Sequence, residues 1–467
     1  MLSKSVIQFA GEYLLEDSKI LSVSGSVFDI KDLIEEISIY EDIFTVTVSG
    51  SITFTDTSNI VKNFPIVGEE RLVLKLATPQ EKESPDTTID YTRTPLIITS
   101  VQSRNQMNSN AQLVTLKFTS LETFRDNISR VSQSYTGQPS DIIEKILRDK
   151  SYLASTKRLF KEETANNMKV VFPNMRPFDC IQHLMKRSNS ASNVDSPTYL
   201  FYETTKGFHF RTFDGLCNDE VAQYFRESIG GQLDEKGTSD PQKNLETIVN
   251  YEINSNKDTA NQMRNGAYSS KLITHDVYNK KLNTYKYDYL SNFDKDIHPD
   301  NGESKPIISR AIDPDLNKSI TEHEDTKLYV VSTASGYSFS EGENYPYQSD
   351  NLNRTLQRRK GRIQQFGGGI ILNLEIAGNT AIKVGDKIGV EINNQSNVDG
   401  EDIDKELSGN FIVTTLRHVF TQSKQLKHKI VMQVMKDSRL GDTLPSTGIS
   451  NTDGLGIETG TSETIRL

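Results

Sequence analysis

Two stretches far apart in the chain carry the same succession of β signals. The first has Val67-Gly68-Glu69-Glu70 followed by the alternating Leu72, Leu74 and Leu76; the second has Val384-Gly385-Asp386-Lys387 followed by Ile388, Val390 and Ile392. Beyond each glycine comes a hairpin pattern, residues 96–101 returning at 113–118 in one case and 411–416 returning at 429–435 in the other. A strand precedes each glycine, at 44–55 and 370–377. Alternation of this kind marks strands buried on one face. A β-unit written twice suits a chain that builds a ring, each copy pairing with the next. Any two half-buried strands alternate, so duplication and coincidence both stay open on these residues.

The run 44–55 has the longest alternation. Phe44, Val46, Val48, Ile52 and Phe54 fall on one face, and Thr45, Thr47, Ser49, Ser51, Thr53 and Thr55 on the other. The second face carries hydroxyls and no charge. It reads either as the solvent side of an ordinary sandwich or as a wall facing a water-filled lumen. The first hairpin is expected to turn over 104–110.

The period then changes from two to that of a helix. Ser120 is placed to cap a helix with the stripe Leu121, Phe124 and Ile128. A second helix follows Gly137-Gln-Pro-Ser140, with Ile142, Ile143, Ile146 and Leu147 on one side, and a third opens after Pro177 with Phe178, Ile181, Leu184 and Met185. Residues 197–202 and 207–213 predict a two-stranded hairpin. Residues 250–350 are rich in Asn, Asp, Lys and Tyr, with short strands predicted at 270–278, 285–289 and 327–332 and loop over 293–320. Residues 351–366 predict a basic helix. Leu352, Leu356, Ile363 and Phe366 make its apolar stripe, and Arg354, Arg358 and Arg362 line another face with Arg359 and Lys360 between them. These arginines read as a solvated face, as partners for carboxylates of a neighbouring subunit or domain, or as a contact for nucleic acid. Gly367-Gly368-Gly369 ends the helix. The loop 393–406 is acidic, and the Gly-, Ser- and Thr-rich stretch 441–467 is expected to be disordered unless a partner holds it.

Chemistry-bearing motifs are scarce. The 467 residues predict two to four domains at about 100–200 residues each. Cys180 and Cys217 have no metal-motif spacing and read as reduced thiols. The histidines His183, His209, His275, His298, His323, His418 and His428 form no metal-binding pair. Asp399 to Asp404 is acidic but lacks the ligand order of a calcium loop. There is no nucleophile elbow and no phosphate-binding loop, so no catalytic, cofactor or metal residue is assigned. Residues 1–10 lack the apolar segment of a secretory leader, and no run approaches the roughly 18 apolar residues of a membrane span, which predicts folding in a cytoplasm.

The ordered set resembles the baseplate hub proteins of contractile-tailed phages, the T-even type in particular, and more distantly the hub portion of type VI secretion spikes. The residues that carry the resemblance are Ser38-Ile-Tyr-Glu-Asp-Ile-Phe44, Ser49-Gly-Ser-Ile-Thr-Phe-Thr-Asp56 and Pro65-Ile-Val-Gly-Glu-Glu70, the first hairpin, the helix at 137–147, the basic helix, Ala377-Gly-Asn-Thr380 with Val384-Gly-Asp386, and Ser408-Gly-Asn-Phe-Ile-Val413. The tract 280–350 is longer than the pattern, and the tail beyond 440 does not match it.

The resemblance implies an α+β, mainly β chain with two tail-tube-like β-barrel or sandwich domains and an α+β insertion module. The expected divisions are 1–125, a helical module at 126–245, a second tube-like domain at 246–440 carrying a polar insert (about 255–350) and the basic helix, and the 441–467 tail. It implies a non-enzymatic homotrimer whose six quasi-equivalent units form a ring adapting a six-fold tail tube to a three-fold spike. The Thr45/Thr47/Ser49/Ser51/Thr53 row would face the lumen or solvent, and Arg354, Arg358, Arg359 and Arg362 would make inter-subunit or inter-domain ion pairs. Implied partners are the central spike, the tail tube or its initiators, the tape-measure protein and the baseplate wedge, with DNA passing through unbound and no membrane contact. The place implied is the virion tail baseplate, assembled in the host cytoplasm. The formal charge of −10, −30 for three copies, suits a channel to which DNA does not adhere. Two other readings are the hub of a bacterial contractile secretion or tailocin-like device and a tail-associated cell-wall hydrolase.

Overall fold

The computed structural model describes residues 7, 9–57, 66–79, 87–108, 111–165, 167–193, 195–227, 241–254, 259–277, 280–308, 312–313, 317–333, 337–340, 343–346, 352–394, 403–422, 425–440, 456–459 and 463–466. The chain is mainly β. Two β-units share one continuous sheet, and a small α+β module packs against them.

The first unit contains β1 (Leu14–Leu21), β2 (Ile34–Asp42), β3 (Ser49–Asp56), β4 (Arg71–Ala77), β5 (Leu96–Asn108) and β6 (Ala111–Thr119). They pair in the order β1-β4-β5-β6-β3-β2. Ile37, Ile39, Ile52, Phe54, Leu72, Leu74, Leu76, Leu116 and Phe118 point into one core, each fully buried side chain contributing about 1.5–3 kcal/mol. β3 is shorter than the alternation 44–55 suggests. Asp42 stops the ladder: its Oδ1 accepts the Phe44 N–H (2.7 Å) and its carbonyl accepts the Thr45 N–H and hydroxyl, the local competition by which aspartate favours turns. Phe44 is therefore exposed and Val46 packs on the helical module instead of this core. β5 runs on to Asn108, so the hairpin turn is shorter than the expected 104–110.

The module holds α1 (Leu121–Ile128), α2 (Pro139–Arg148), α3 (Pro177–Met185) and the hairpin β7 (Tyr199–Thr204) and β8 (Gly207–Thr212). α2 buries the predicted Ile142, Ile143, Ile146 and Leu147, and Pro139 and Pro177 sit in the first turns of α2 and α3. α1 is turned the other way from the prediction. Phe124 and Ile128 are exposed, while Glu122 and Asp126 are buried. Those two carboxylates have partners waiting inside: Lys157 for Glu122, and the Phe178 N–H at 2.7 Å for Asp126.

The second unit begins earlier than residue 246. Its strands are β9 (Val221–Glu227), β10 (Thr247–Ile253) and, after the insert, β14 (Ile370–Ala377), β15 (Lys387–Glu391), β16 (Gly409–Gln422) and β17 (Leu426–Lys436). The insert contributes β11 (Ser269–Asp276), β12 (Lys281–Asp288) and β13 (Leu328–Thr333) as a separate three-stranded sheet. Strands β16-β15-β9-β10-β14-β17 close on themselves through the β16–β17 ladder, a six-stranded barrel filled by Leu372, Leu374, Ile376, Ile388, Val390, Phe411, Val413, Met432 and Val434. The helix before β14 starts with a π-helical stretch (Asn353–Arg358) and continues as α4 (Arg359–Gly367). Most of the 441–467 tail and the core of the acidic loop, including Asp399 to Glu401, lie outside the described residues.

The ladders show that the unit is duplicated in register. β2 pairs with β3 as β10 pairs with β14, and both ladders carry a bulge one step in: Ile34↔Phe54 then Glu36↔Thr53, and Ile248↔Ile376 then Asn250↔Glu375. This aligns Ile52 with Leu374 and Phe54 with Ile376. The β3–β6 and β14–β17 ladders give the same alignment, through Leu116 and Met432, when matched by the hairpins β5–β6 and β16–β17. Both hairpins bulge at the same step, at Thr99 and at Thr414. At the start of each hairpin the Ile98 N–H bonds to the Glu70 carbonyl and the Val413 N–H to the Asp386 carbonyl. The glycine match of the sequences is thus one residue out of step. Gly68 and Gly385 both have positive φ, at 98° and 84°, but Gly68 lies two residues before its carbonyl and Gly385 one.

Candidate assembly interface

The two copies meet along a strand seam. β15 covers only Gly409 to Ile412 of the long strand β16, which leaves Thr415–Thr421 open on that side. β2 fills the space in an antiparallel ladder from Thr415↔Asp42 to Thr421↔Glu36. Arg417 crosses the seam to Ser38 Oγ (3.0 Å) and Glu36 Oε1 (3.2 Å). Close backbone contacts extend it. The His428 N–H donates across it to the Gly11 carbonyl (2.7 Å), and the Gly378 N–H continues the β14–β17 ladder to the His428 carbonyl (3.0 Å); a Cβ at either glycine would overlap His428. Thr78 and Thr380 exchange N–H and hydroxyl bonds, at 3.1 and 3.0 Å. His418 and His428 stand side by side in this dry contact, Nδ1 to Nε2 at 3.1 Å. Burial lowers both, His418 to about 3, so both are neutral.

Two buried carboxylates pin three segments each. Glu41, from β2, accepts the Thr205 N–H of the module hairpin (2.6 Å) and the Val384 N–H of the second unit's elbow (3.0 Å). Burial pushes it up to about 7 against those two donors. Glu203, from β7, accepts the Val48 N–H (3.1 Å) and the Lys157 ammonium (2.6 Å). Lys157 also reaches Glu122 (2.7 Å). Burial alone would raise Glu122; the ammonium outweighs it and holds the carboxyl below its ordinary value.

The basic helix is a clamp. Its arginine face points inward: Arg362 is 2% exposed and Arg358 6%. Arg354 reaches Asp195 (3.1 Å), Arg358 reaches Asp195 (3.4 Å) and Asp296 (2.8 Å), and Arg362 reaches Asp214 (3.5 Å) and Asp437. The helix thereby ties the module, the insert and the end of β17 together. His298 joins through Asp437 (2.8 Å). Asp437 is buried, yet Arg362 and His298 hold its carboxyl well below the usual range. Arg359 is half-buried and makes no ion pair among the described residues. These contacts withdraw Arg358 and Arg362 from solvent, while Arg354 stays half-exposed and Lys360 exposed; sequence periodicity could not anticipate them because the aspartates lie far off in the chain.

In the hydroxyl row, Ser49, Ser51 and Thr53 lie on β3 opposite to the core-facing Ile52 and Phe54, and Thr53 bonds across to the Thr115 hydroxyl (3.0 Å). Thr45 and Thr47 belong to the connection before the strand. Thr45 closes the turn on Asp42, and Thr47 accepts a bond from the Thr123 hydroxyl (2.7 Å). Cys180 and Cys217 are buried free thiols. Among the described residues no group of His, Cys, Asp or Glu is arranged to hold a metal ion, and no helix is long and apolar enough to cross a membrane.

No family model and no curated protein matches the sequence. Solved structures do match the fold. The tail protein from Neisseria meningitidis MC58 superposes with a TM-score of 0.53 at 12% identity, covering 91% of this chain and 97% of that one. The 43 kDa tail protein of prophage MuSo2 from Shewanella oneidensis superposes at 0.50 and 8%, covering 91% and 99%. The chain therefore shares the fold of these two tail proteins along nearly its whole length.

Proposed function

We propose that the chain is the structural hub of a contractile phage tail, a homotrimer whose six quasi-equivalent β-units form a ring between a six-fold tail tube and a three-fold spike. The observation that carries this reading is the in-register duplication, with its two copies already joined by a strand ladder. A chain that solves a symmetry mismatch in this way needs a closed head-to-tail assembly of identical copies. The polar, chargeless row of Ser49, Ser51 and Thr53 then lines the DNA channel, and the net charge of −10 per copy disfavours retention of a polyanion. The fold shared with two tail proteins supports a tail role, and the arrangement of side chains supports scaffolding over catalysis. Its partners are the spike on one side and the tube or its initiators on the other, with the tape-measure protein and wedge nearby, in the baseplate of a virion assembled in the host cytoplasm.

Mass photometry and negative-stain class averages of the purified chain test this. Three-fold rings with an axial hole are expected. Compact particles without a passage would refute it.

A further inference from the structure

Among the described residues the duplication leaves two strand edges without partners, and they are the counterparts of the two edges joined in the internal seam. In the second unit the free side of β16 is taken by β2. Its counterpart in the first unit is β5. That strand pairs with β4 only at Leu96 and Ile97, and beyond Ile98 the same side has no strand partner among the described residues. The counterpart of β2 is β10. It pairs with β9 only at Thr247 and Ile248, and its side beyond Asn250 is likewise open among the described residues. Both edges are exposed and partly apolar: Met107 is 63%, Val249 66% and Ile253 47% exposed. An open edge of this length invites another strand.

We propose that β5 of one copy pairs antiparallel with β10 of a second copy of this chain, reproducing the β16–β2 seam between subunits. The proposal deepens the ring reading by naming its subunit contact. The alignment of the two units sets the register. Arg417↔Tyr40, His418↔Ile39 and Val419↔Ser38 become Ser103↔Asn254, Arg104↔Ile253 and Asn105↔Glu252. The contact joins unlike strands, so each copy offers one edge and accepts the other, the geometry that closes into rings.

Disulfide trapping in the full chain tests it, since opposed residues of an antiparallel pair lie within bridging distance. The variant carrying both Asn105→Cys and Glu252→Cys is oxidised and run without reducing agent, beside the two single variants alone and mixed. Covalent trimer from the double variant is expected, with heterodimer from the mixture and nothing from either single variant. Rings seen by mass photometry without trapping would overturn the seam and leave the trimer standing. Monomer throughout, at the highest soluble concentration and untrapped, would overturn both. Covalent homodimer from one single variant would show like strands meeting and would also overturn the seam. Circular dichroism of each variant against the parent shows that the exposed substitutions leave the fold intact.

Discussion

Replacing Lys157 by Met isolates the energetics of the buried cluster that anchors the module. The Lys157 ammonium lies 2.7 Å from Glu122 and 2.6 Å from Glu203, and all three side chains are at most 7% exposed. Methionine keeps most of the stem volume and removes the charge. Two carboxylates then face each other without a cation, the situation in which breaking a buried pair costs about 3–5 kcal/mol. The loss is read locally, since the module has its own core, distinct from those of the two β-units. Amide hydrogen exchange in α2, β7 and β8 is the direct readout. Exchange by local opening should accelerate by roughly two to three and a half orders of magnitude at pH 7. The pH dependence has a definite sign. In the parent, Glu122 is held low, so its stabilisation is present above the unfolded pKa and fades on acidification. In Lys157→Met the unpaired carboxylates are raised, the folded state binds the extra proton, and stability recovers as pH falls. The difference between the two proteins should therefore shrink toward acid. A penalty under about 1 kcal/mol at neutral pH, or one that grows on acidification, would refute the reasoning.

Glu41→Gln removes a titration. A carboxyl raised to about 7 favours folding below its unfolded value and loses that contribution as pH rises through about 7. The parent's stability, measured by urea midpoint, should fall relative to Glu41→Gln between about pH 4.5 and 7, by around 3 kcal/mol in total. The neutral histidines of the seam contribute equally to both proteins and cancel. Gly378→Ala forces a methyl onto the His428 ring, and overpacking costs of about 1–3 kcal/mol should appear as a lowered thermal midpoint and increased proteolysis near the seam. The Cys180 thiol, raised by burial to about 12, and Cys217, raised by burial still more clearly, should resist iodoacetamide in the native chain and react on denaturation. Fast native alkylation of either, read by mass spectrometry, would show that its core opens.

The strands, both hairpins, the four-isoleucine/leucine face of α2 and the repeated order of elements were legible in the residues because each depends on local periodicity. Ile142, Ile143, Ile146 and Leu147 fall on one face of a helix, which Pro139 can start, and Ile370 to Ala377 alternates as a half-buried strand does. Other features depended on partners distant in the chain. The Leu121/Phe124/Ile128 stripe promised a buried face, but Lys157 and the Phe178 N–H drew Glu122 and Asp126 inward instead. The arginines of the clamp helix are spaced like a solvated face, yet Arg358 and Arg362 are buried because Asp195, Asp214, Asp296 and Asp437 converge on them. Asp42 shortened a strand that alternation alone extended to Phe44. The matched glycines hinted at the repeat but sat one residue out of register, since only the bulges at Thr99 and Thr414 and the ladders around them define which residues are equivalent. Periodicity along the backbone thus specified the elements and their doubling. The pairing of edges, which satisfies backbone groups between segments remote in the chain, was decided by the tertiary structure, and with it which strands were joined across the seam.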